Sequence, residues 1–358
     1  MRTHTCTPAA PALADRSASP RRSLAVGLIA AVLLVCGAVN AQRAAAIEVG
    51  IQDDSVFLSQ SFYDRDKAFA QAQDLSVRWL RVNAFWSDYK RYGFGQLDSL
   101  VDAALSRGFR VEMTISGQSS FDRNGDRWLS SKSPKAARLG RFATLVAEHF
   151  KGRVGRYSIW NEPNMPYFLS PTKKAASTYR ALYLAGYKAV KGVDRRNEVL
   201  IGELAPRRNP LGFLARISGG LKADGLAYHP FQFYAAPGAR DRTGVVGISS
   251  TPRIRSTLRS LARRHQLSTP RGRTLPIYFT EFGYIAKGGS VPMPDKRRAD
   301  WIVKAFKYAK KQGVRQLLYY QLVHPPAVNG VSFDSGIVNL DGTPTIVYAA
   351  LRKYLTGR

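Results

Sequence analysis

The segment Tyr157-Ser158-Ile159-Trp160-Asn161-Glu162-Pro163-Asn164 joins a short apolar run to a polar stop. Its first four residues have the length and composition of a buried strand. That strand must end before Pro163, because proline has no backbone N–H to give to a sheet. Glu162 therefore lies at the mouth of a buried strand, where an unpaired carboxylate is rarely found. The alternative is a solvated loop glutamate beside a turn proline, and the rest of the chain decides between the two interpretations.

From residue 47 onward, strand-like and helix-like segments alternate. The strand-like runs are Ile47–Ile51, Val77–Val82, Phe109–Ile115, Val154–Trp160, Val199–Gly202, Gly225–His229, Leu275–Thr280 and Val314–Tyr320. The helix-like stretches are Asp64–Leu75, Gln96–Arg107, Lys135–Phe150, Pro171–Lys191, Pro252–His265, Asp295–Lys311 and Thr345–Tyr354, with Leu211–Ile217 as a weaker, shorter one. This alternation predicts a parallel sheet, since parallel neighbours need crossover connections.

Eight such units that close on themselves form an α/β fold, the (β/α)8 TIM barrel. An open doubly wound sheet is the alternative, but no glycine-rich dinucleotide fingerprint follows an early strand. No linker divides the chain after residue 47, so we predict a single domain over residues 47–358.

The first 46 residues differ from the rest. Arg21 and Arg22 precede an apolar run over residues 24–35, and small residues follow up to Ala46. This order is typical of a secretory signal peptide, and the arginine pair also fits twin-arginine export. The run is short for a membrane span, although an uncleaved anchor is the alternative. We predict a signal peptide and short linker over residues 1–46, a secreted or extracytoplasmic protein, and no stable membrane partner after cleavage.

The chain is strongly basic, with a net charge of +29. The predicted leader holds five arginines and one aspartate, so residues 47–358 carry +25. Such a field favours polyanions, yet the basic residues are scattered and no nucleic-acid-binding motif accompanies them. We therefore predict a basic solvated surface, no nucleic-acid partner, an anionic polysaccharide as one candidate ligand, and a monomer. Both cysteines, Cys6 and Cys36, lie in the leader, which leaves the remaining chain without thiol chemistry.

Polar residues cluster at the carboxyl ends of the predicted strands, where barrels of this kind carry their active sites. They are Arg81 and Asn83 on strand 2, Asn161 and Glu162 on strand 4, Glu203 on strand 5, His229 on strand 6, Glu281 on strand 7 and Gln321 on strand 8. Strands 4 and 7 lie on opposite sides of the ring, so Glu162 and Glu281 can face each other. One protonated and one ionised carboxyl group are the minimum apparatus for cleaving a glycosidic bond.

Neighbouring residues fit this chemistry. Arg81 would hold one carboxylate ionised, and Asn161 would bind a sugar hydroxyl near the reacting carbon. Aromatic rings near the rim would stack on sugar faces: Trp86, Trp160, Phe231, Tyr234, Tyr284 and Tyr320. We predict no metal and no cofactor, because the histidines lack metal-ligand spacing and the segment Asp122–Asp126 lacks the distal glutamate of a calcium loop.

The two segments Trp160-Asn161-Glu162-Pro163-Asn164 and Thr280-Glu281-Phe282-Gly283-Tyr284 together resemble clan A glycoside hydrolases, the 4/7 superfamily, near families 5 and 39. Members carry Asn-Glu-Pro at the end of strand 4 and a glutamate at the end of strand 7. The resemblance covers residues 47–358 and includes Arg81 and His229. It implies a retaining β-glycosidase acting on a poly- or oligosaccharide, with Glu162 as general acid/base and Glu281 as nucleophile. Residues implied to bind substrate are Arg81, Trp86, Asn161, His229, Tyr284 and Tyr320.

Three positions depart from that family pattern. Phe231 stands where many members have a tyrosine that bonds the nucleophile, so Tyr228, Tyr234 or Tyr284 must replace it or the bond is missing. Strand 8 ends in Tyr320-Gln321 instead of a tryptophan, and strand 3 ends in Ser116-Gly117 where family 5 often has a histidine. These changes leave the sugar and the endo or exo mode open. A non-catalytic protein that binds a glycan or an anionic wall polymer is the alternative function, but a mere binder has no need of both carboxylates.

Overall fold

The computed structural model describes residues 47–117, 127–240, 242–286, 292–326 and 333–358. The predicted signal peptide and the Asp122–Asp126 segment lie outside these residues. Within the described part of the chain, no helix has the length and apolar character needed to cross a membrane.

Eight parallel strands close into one barrel. The strands are β1 (Glu48–Gln52), β2 (Trp79–Phe85), β3 (Arg110–Ser116), β4 (Arg156–Ile159), β5 (Glu198–Leu204), β6 (Gly225–Tyr228), β7 (Ile277–Phe282) and β8 (Gln316–Tyr319). They pair in chain order, and β1 closes the ring by pairing with β8. The predicted (β/α)8 barrel is therefore confirmed, and every predicted strand is present.

Ten α-helices are assigned in the described residues. They are α1 (Asp54–Phe57), α2 (Arg65–Asp74), α3 (Trp86–Tyr92), α4 (Gly95–Ser106), α5 (Ala136–His149), α6 (Ala175–Val193), α7 (Pro210–Ile217), α8 (Thr251–Arg263), α9 (Asp295–Lys311) and α10 (Ile346–Thr356). The weaker prediction at Leu211–Ile217 is confirmed as α7, whose first turn is capped by the Asn209 side chain. The sequence did not predict α1 and α3, because four and seven residues are too few to show a helical period.

The inside of the barrel is polar but closed to solvent. On β3, for example, the alternating residues Glu112, Thr114 and Ser116 are all buried. At the amino-terminal end, Arg156 bonds Glu48 at 2.7 Å and Glu198 at 2.6 Å. Buried charges need such pairing to avoid a large desolvation cost. These ion pairs stabilise the amino-terminal end of the barrel. The candidate site lies at the other end, at the carboxyl ends of the strands.

Candidate active site

The two predicted carboxylates lie at the mouth of the barrel. Glu162 follows β4 and Glu281 lies within β7, and both line one cavity of about 490 Å³. A carboxylate oxygen of each residue and a ring nitrogen of His229 all lie within 4.8 Å of one another. Retaining glycosidases have carboxyl separations of roughly 5–5.5 Å and inverting ones of about 6.5–9.5 Å. One oxygen of Glu162 and one of Glu281 here approach within 4.8 Å, so both groups can reach one glycosidic bond.

The backbone that presents these groups is unusual. Trp160, Glu162 and Glu203 have φ angles of +67°, +38° and +48°, in the left-handed region. Non-glycine residues adopt this region rarely, and such strain clusters at functional sites. The N–H of Glu162 donates to the carbonyl of Glu203 at 2.9 Å, which joins the ends of β4 and β5. The left-handed turn therefore points the Glu162 side chain into the cavity while the backbone stays tied to β5.

Arg81 organises the side of the site near Glu281. Its Nη1 donates to Glu281 Oε1 at 2.6 Å and its Nη2 to Asn161 Oδ1 at 3.1 Å. Burial raises the pKa of Glu281, and the charges of His229 and Arg81 oppose that rise. Because arginine only donates, Asn161 must turn its carbonyl towards Arg81. The Asn161 amide N–H groups are thereby left for another acceptor at the cavity wall.

His229 links Glu162 to a third glutamate. Its Nδ1 lies 2.9 Å from Glu162 Oε1 and its Nε2 lies 2.7 Å from Glu203 Oε2. Burial lowers the pKa of His229, but Glu281, Glu162 and Glu203 outweigh it and raise that pKa to about 10. His229 is therefore an imidazolium at neutral pH and donates from both nitrogens. Each ring nitrogen thus lies beside a carboxylate oxygen, and His229 pairs charge with Glu162 on one side and Glu203 on the other.

Glu203 is fully buried beneath the cavity. Its Oε1 accepts from Ser158 Oγ at 2.5 Å and from Arg81 Nε at 3.2 Å. Burial alone would raise the pKa of Glu203, but Arg81 and His229 overcome it and lower that pKa to about 2. The sequence placed Glu203 at the carboxyl end of strand 5, which is where the structure has it. Its bond to His229 had no signal in the sequence.

One wall of the cavity is aromatic. Phe231, Phe233, Tyr320 and Phe333 form this wall, with ring centroids 5.1 Å apart for Phe231 and Phe333 and 5.6 Å apart for Tyr320 and Phe333. Aromatic faces of this kind pack well against the C–H faces of sugars. Burial and the negative charges of Glu281, Asp53 and Asp54 raise the pKa of Tyr320, which keeps it a neutral phenol.

Four of the eight predicted site residues line the cavity, namely Asn161, Glu162, Glu281 and Tyr320. Arg81 and His229 do not line it, since both are buried beneath the carboxylates and contact them directly. They position the pair, which corrects their predicted role as substrate contacts.

Trp86 and Tyr284, predicted as sugar-binding residues, are not among the described residues that line the cavity. The Trp86 ring packs on Trp128, with centroids 4.0 Å apart. Tyr284 has 0% of its surface exposed and packs against Phe282 and Trp301, with centroids 5.3 and 5.6 Å away. Both rings belong to the packing around the barrel.

Among the described residues, none of the three candidate tyrosines bonds Glu281, which is the second of the two alternatives that the sequence left open. Tyr228 donates its hydroxyl to the Val246 carbonyl at 2.7 Å, and Tyr284 is buried elsewhere. Tyr234 is 51% exposed and does not line the cavity. Among the described residues, the hydrogen bond to Glu281 comes from Arg81.

Sequence reasoning missed the residues at the end of β1. Gln52, Asp53 and Asp54 all line the cavity. The sequence does contain a pattern that could have identified them, because polar residues directly follow the strand-like run Ile47–Ile51, as they do at other predicted strands. Phe333 also lines the cavity, and no sequence pattern marks it.

No protein-family model and no curated protein matches this chain, whereas solved structures do. A family 39 glycoside hydrolase from Bacteroides cellulosilyticus WH2 superposes with a TM-score of 0.64 at 15% identity, covering 86% of this chain and 63% of that one. A monomeric β-xylosidase from Caulobacter crescentus CB15 gives 0.60 at 20% identity, covering 86% and 67%. A GH5-4 broad specificity endoglucanase from Clostridium longisporum gives 0.59 at 12% identity, covering 87% and 96%. These likenesses establish the shared barrel fold, and the families are those that the strand-end motifs resemble.

Proposed function

We propose that this protein is a retaining β-glycosidase that hydrolyses a poly- or oligosaccharide by double displacement. The observation that carries the proposal is the opposed pair Glu162 and Glu281, with oxygens within 4.8 Å of each other in one cavity. Each carboxylate has its own cationic partner, Arg81 for Glu281 and His229 for Glu162. The shared fold with a β-xylosidase and an endoglucanase supports the same reaction class.

In the first step Glu281 attacks the anomeric carbon. Arg81 holds its Oε1, so Oε2 is the oxygen that forms the new bond. The bond from the anomeric carbon to the leaving oxygen breaks, and Glu162 gives that oxygen a proton. Because the His229 imidazolium donates to Glu162 Oε1, the transferred proton leaves from Oε2. The product of this step is a covalent glycosyl-enzyme.

In the second step a water molecule attacks the anomeric carbon from the side of Glu162. Glu162, now ionised, takes the water proton, and the bond to Glu281 breaks. The imidazolium of His229, 2.9 Å from Glu162 Oε1, stabilises the carboxylate that must act as this base. Two inversions at one carbon give net retention.

Azide rescue tests the assignment of both roles. With an activated aryl β-glycoside, Glu281→Ala should lose at least about 10⁴-fold in kcat, and azide should restore turnover as the α-glycosyl azide. Glu162→Ala should instead yield the β-glycosyl azide, because azide then attacks the glycosyl-enzyme. Glu148→Ala, on the exposed face of α5, is the matched control. A β-glycosyl azide from Glu281→Ala would overturn the assignment of the nucleophile.

A further inference from the structure

The cavity has a second wall that the mechanism does not use. This acceptor wall comprises Gln52, Asp53, Asp54, Asn83 and Gln321, all of which line the cavity. Each has a buried side-chain oxygen without a hydrogen-bond partner: Gln52 Oε1, Asp53 Oδ1, Asp54 Oδ1, Asn83 Oδ1 and Gln321 Oε1. They come from the ends of β1, β2 and β8, which are neighbours in the ring.

The orientation of these groups is fixed by their other bonds. Asp54 Oδ2 accepts from Asn83 Nδ2 at 2.7 Å, and a carboxylate can only accept when ionised. The Asn83 amide therefore faces Asp54 with its nitrogen, and Oδ1 is the atom left free. Asp53 Oδ2 likewise accepts from the backbone N–H groups of Leu322 and Val323 at 3.1 and 3.2 Å. The free oxygens are thus a consequence of the fold.

The acceptor wall adjoins the reacting carboxylates. Burial raises the pKa of Asp54 to about 6, and the negative charge of Glu281 adds to this rise. The hydrogen bond from Asn83 and the positive charge of Arg81 oppose it. Asp54 and Glu281 also line the same cavity. A sugar held for attack by Glu281 consequently has the acceptor wall beside its ring.

Unpartnered buried acceptors are costly, and they reject a ligand that brings no donors. A neutral sugar brings a donor with every hydroxyl group. A uronic acid keeps the ring hydroxyl groups but adds a carboxylate at C5, which only accepts and which the ionised Asp54 repels. The cation among the described lining residues, Arg207, follows β5, across the ring from β1.

We propose that the acceptor wall selects a neutral sugar for the reacting position and excludes a uronic acid, with Asp54 as a specificity-determining residue. This inference rests on the proposed glycosidase function and deepens it. It runs against the basic composition of the chain, which by itself favours an acidic substrate.

The test compares 4-nitrophenyl β-glycosides that differ only at C5 of the sugar. The neutral substrate is whichever of the xyloside, glucoside, mannoside and galactoside the wild-type protein hydrolyses with the highest kcat/KM. It is compared with the uronide of the same ring configuration. We expect the wild-type protein to favour the neutral substrate by at least about 100-fold in kcat/KM. Asp54→Asn removes one negative charge without changing the shape, so it should shift the ratio towards the uronide by about tenfold.

Asp300→Asn, an exposed residue of α9 that pairs with Lys304, is the control and should leave the ratio unchanged. Equal turnover of both substrates by the wild type, or an equal loss on both with Asp54→Asn, would overturn the inference while leaving the glycosidase proposal intact. A rise in melting temperature with submillimolar Ca²⁺ that Asp54→Asn abolishes would also overturn it, because the wall would then be a cation site. If no glycoside is turned over and azide rescues nothing, both proposals fail.

Discussion

Glu203 shows how a residue outside the cavity can control the site. It is the common partner of Arg81 and His229, which in turn hold Glu281 and Glu162. Its folded pKa of about 2 lies below the ordinary value of 4.5, so its stabilising contribution is present above about pH 4.5 and is lost as the pH falls through 2. The contribution of His229 to stability changes with pH in the opposite direction, because its pKa is raised from 6.5 to about 10. Its contribution is fully present below pH 6.5 and is lost as the pH rises through 10.

Replacement of Glu203 should therefore disturb the catalytic pair through both cations. We expect Glu203→Gln to lower the free energy of unfolding by about 3–5 kcal/mol, because it leaves two buried cations short of an anion. The pKa of His229 should fall with it, because the imidazolium loses one of its anionic partners. Thermal unfolding and an NMR titration of the His229 imidazole measure the two effects. Glu148→Gln is the control, and an imidazole pKa that stays in place would contradict the role given to Glu203.

At the scale of the elements, the sequence predicted the barrel because each strand and its following helix carry their own local signals. The apolar strand runs, the polar residues at strand ends and the Asn-Glu-Pro stop are all visible within about ten residues. Residues whose role depends on contacts across the ring were not predictable in this way. Tyr284 was predicted as a rim aromatic and is buried, while Asp54 was not singled out and lines the cavity. Periodicity shows that a side chain faces inward, but not which opposing group it meets.

Glu112 on β3 should make the stability of the barrel depend on pH. It faces the barrel interior, fully buried, and Arg156 Nη1 lies 3.9 Å from its Oε2. Burial raises the pKa of Glu112 from 4.5 to about 7, although Arg156 opposes the rise. A carboxyl group with a raised folded pKa keeps its proton more tightly when folded. The wild-type protein therefore loses stability, on the order of 3 kcal/mol from this group, as the pH rises from about 4.5 through 7.

Glu112→Gln removes this titration and should make the protein less sensitive to pH. The difference in melting temperature between variant and wild type should shift in favour of the variant between pH 5 and pH 8. Asp53 and Asp54, whose pKa values burial also raises, titrate in both proteins and cancel in that difference. Melting curves at matched ionic strength provide the measurement. A difference that stays constant with pH would mean that Glu112 does not ionise in this range in the folded protein.

At the scale of the whole molecule, the exterior and the cavity have opposite character. Residues 47–358 carry a net charge of +25, whereas the cavity is lined by four carboxyl groups and one arginine. A field of this size attracts polyanions from a distance, and the cavity accepts donors at close range. The two properties are compatible with a polymer whose anionic groups lie outside the reacting sugar.

Salt separates the two properties, because mobile ions screen exposed charges strongly and a closed cavity weakly. The Debye length falls from about 14 Å at 50 mM salt to about 4 Å at 500 mM. We expect binding to an anionic polysaccharide to weaken by at least about tenfold over this range, while kcat/KM for a neutral aryl β-glycoside changes by less than about twofold. Sedimentation or affinity electrophoresis with a neutral polysaccharide of the same backbone provides the control. Retention that survives 500 mM salt would contradict a surface field and point instead to direct contacts with the anionic groups.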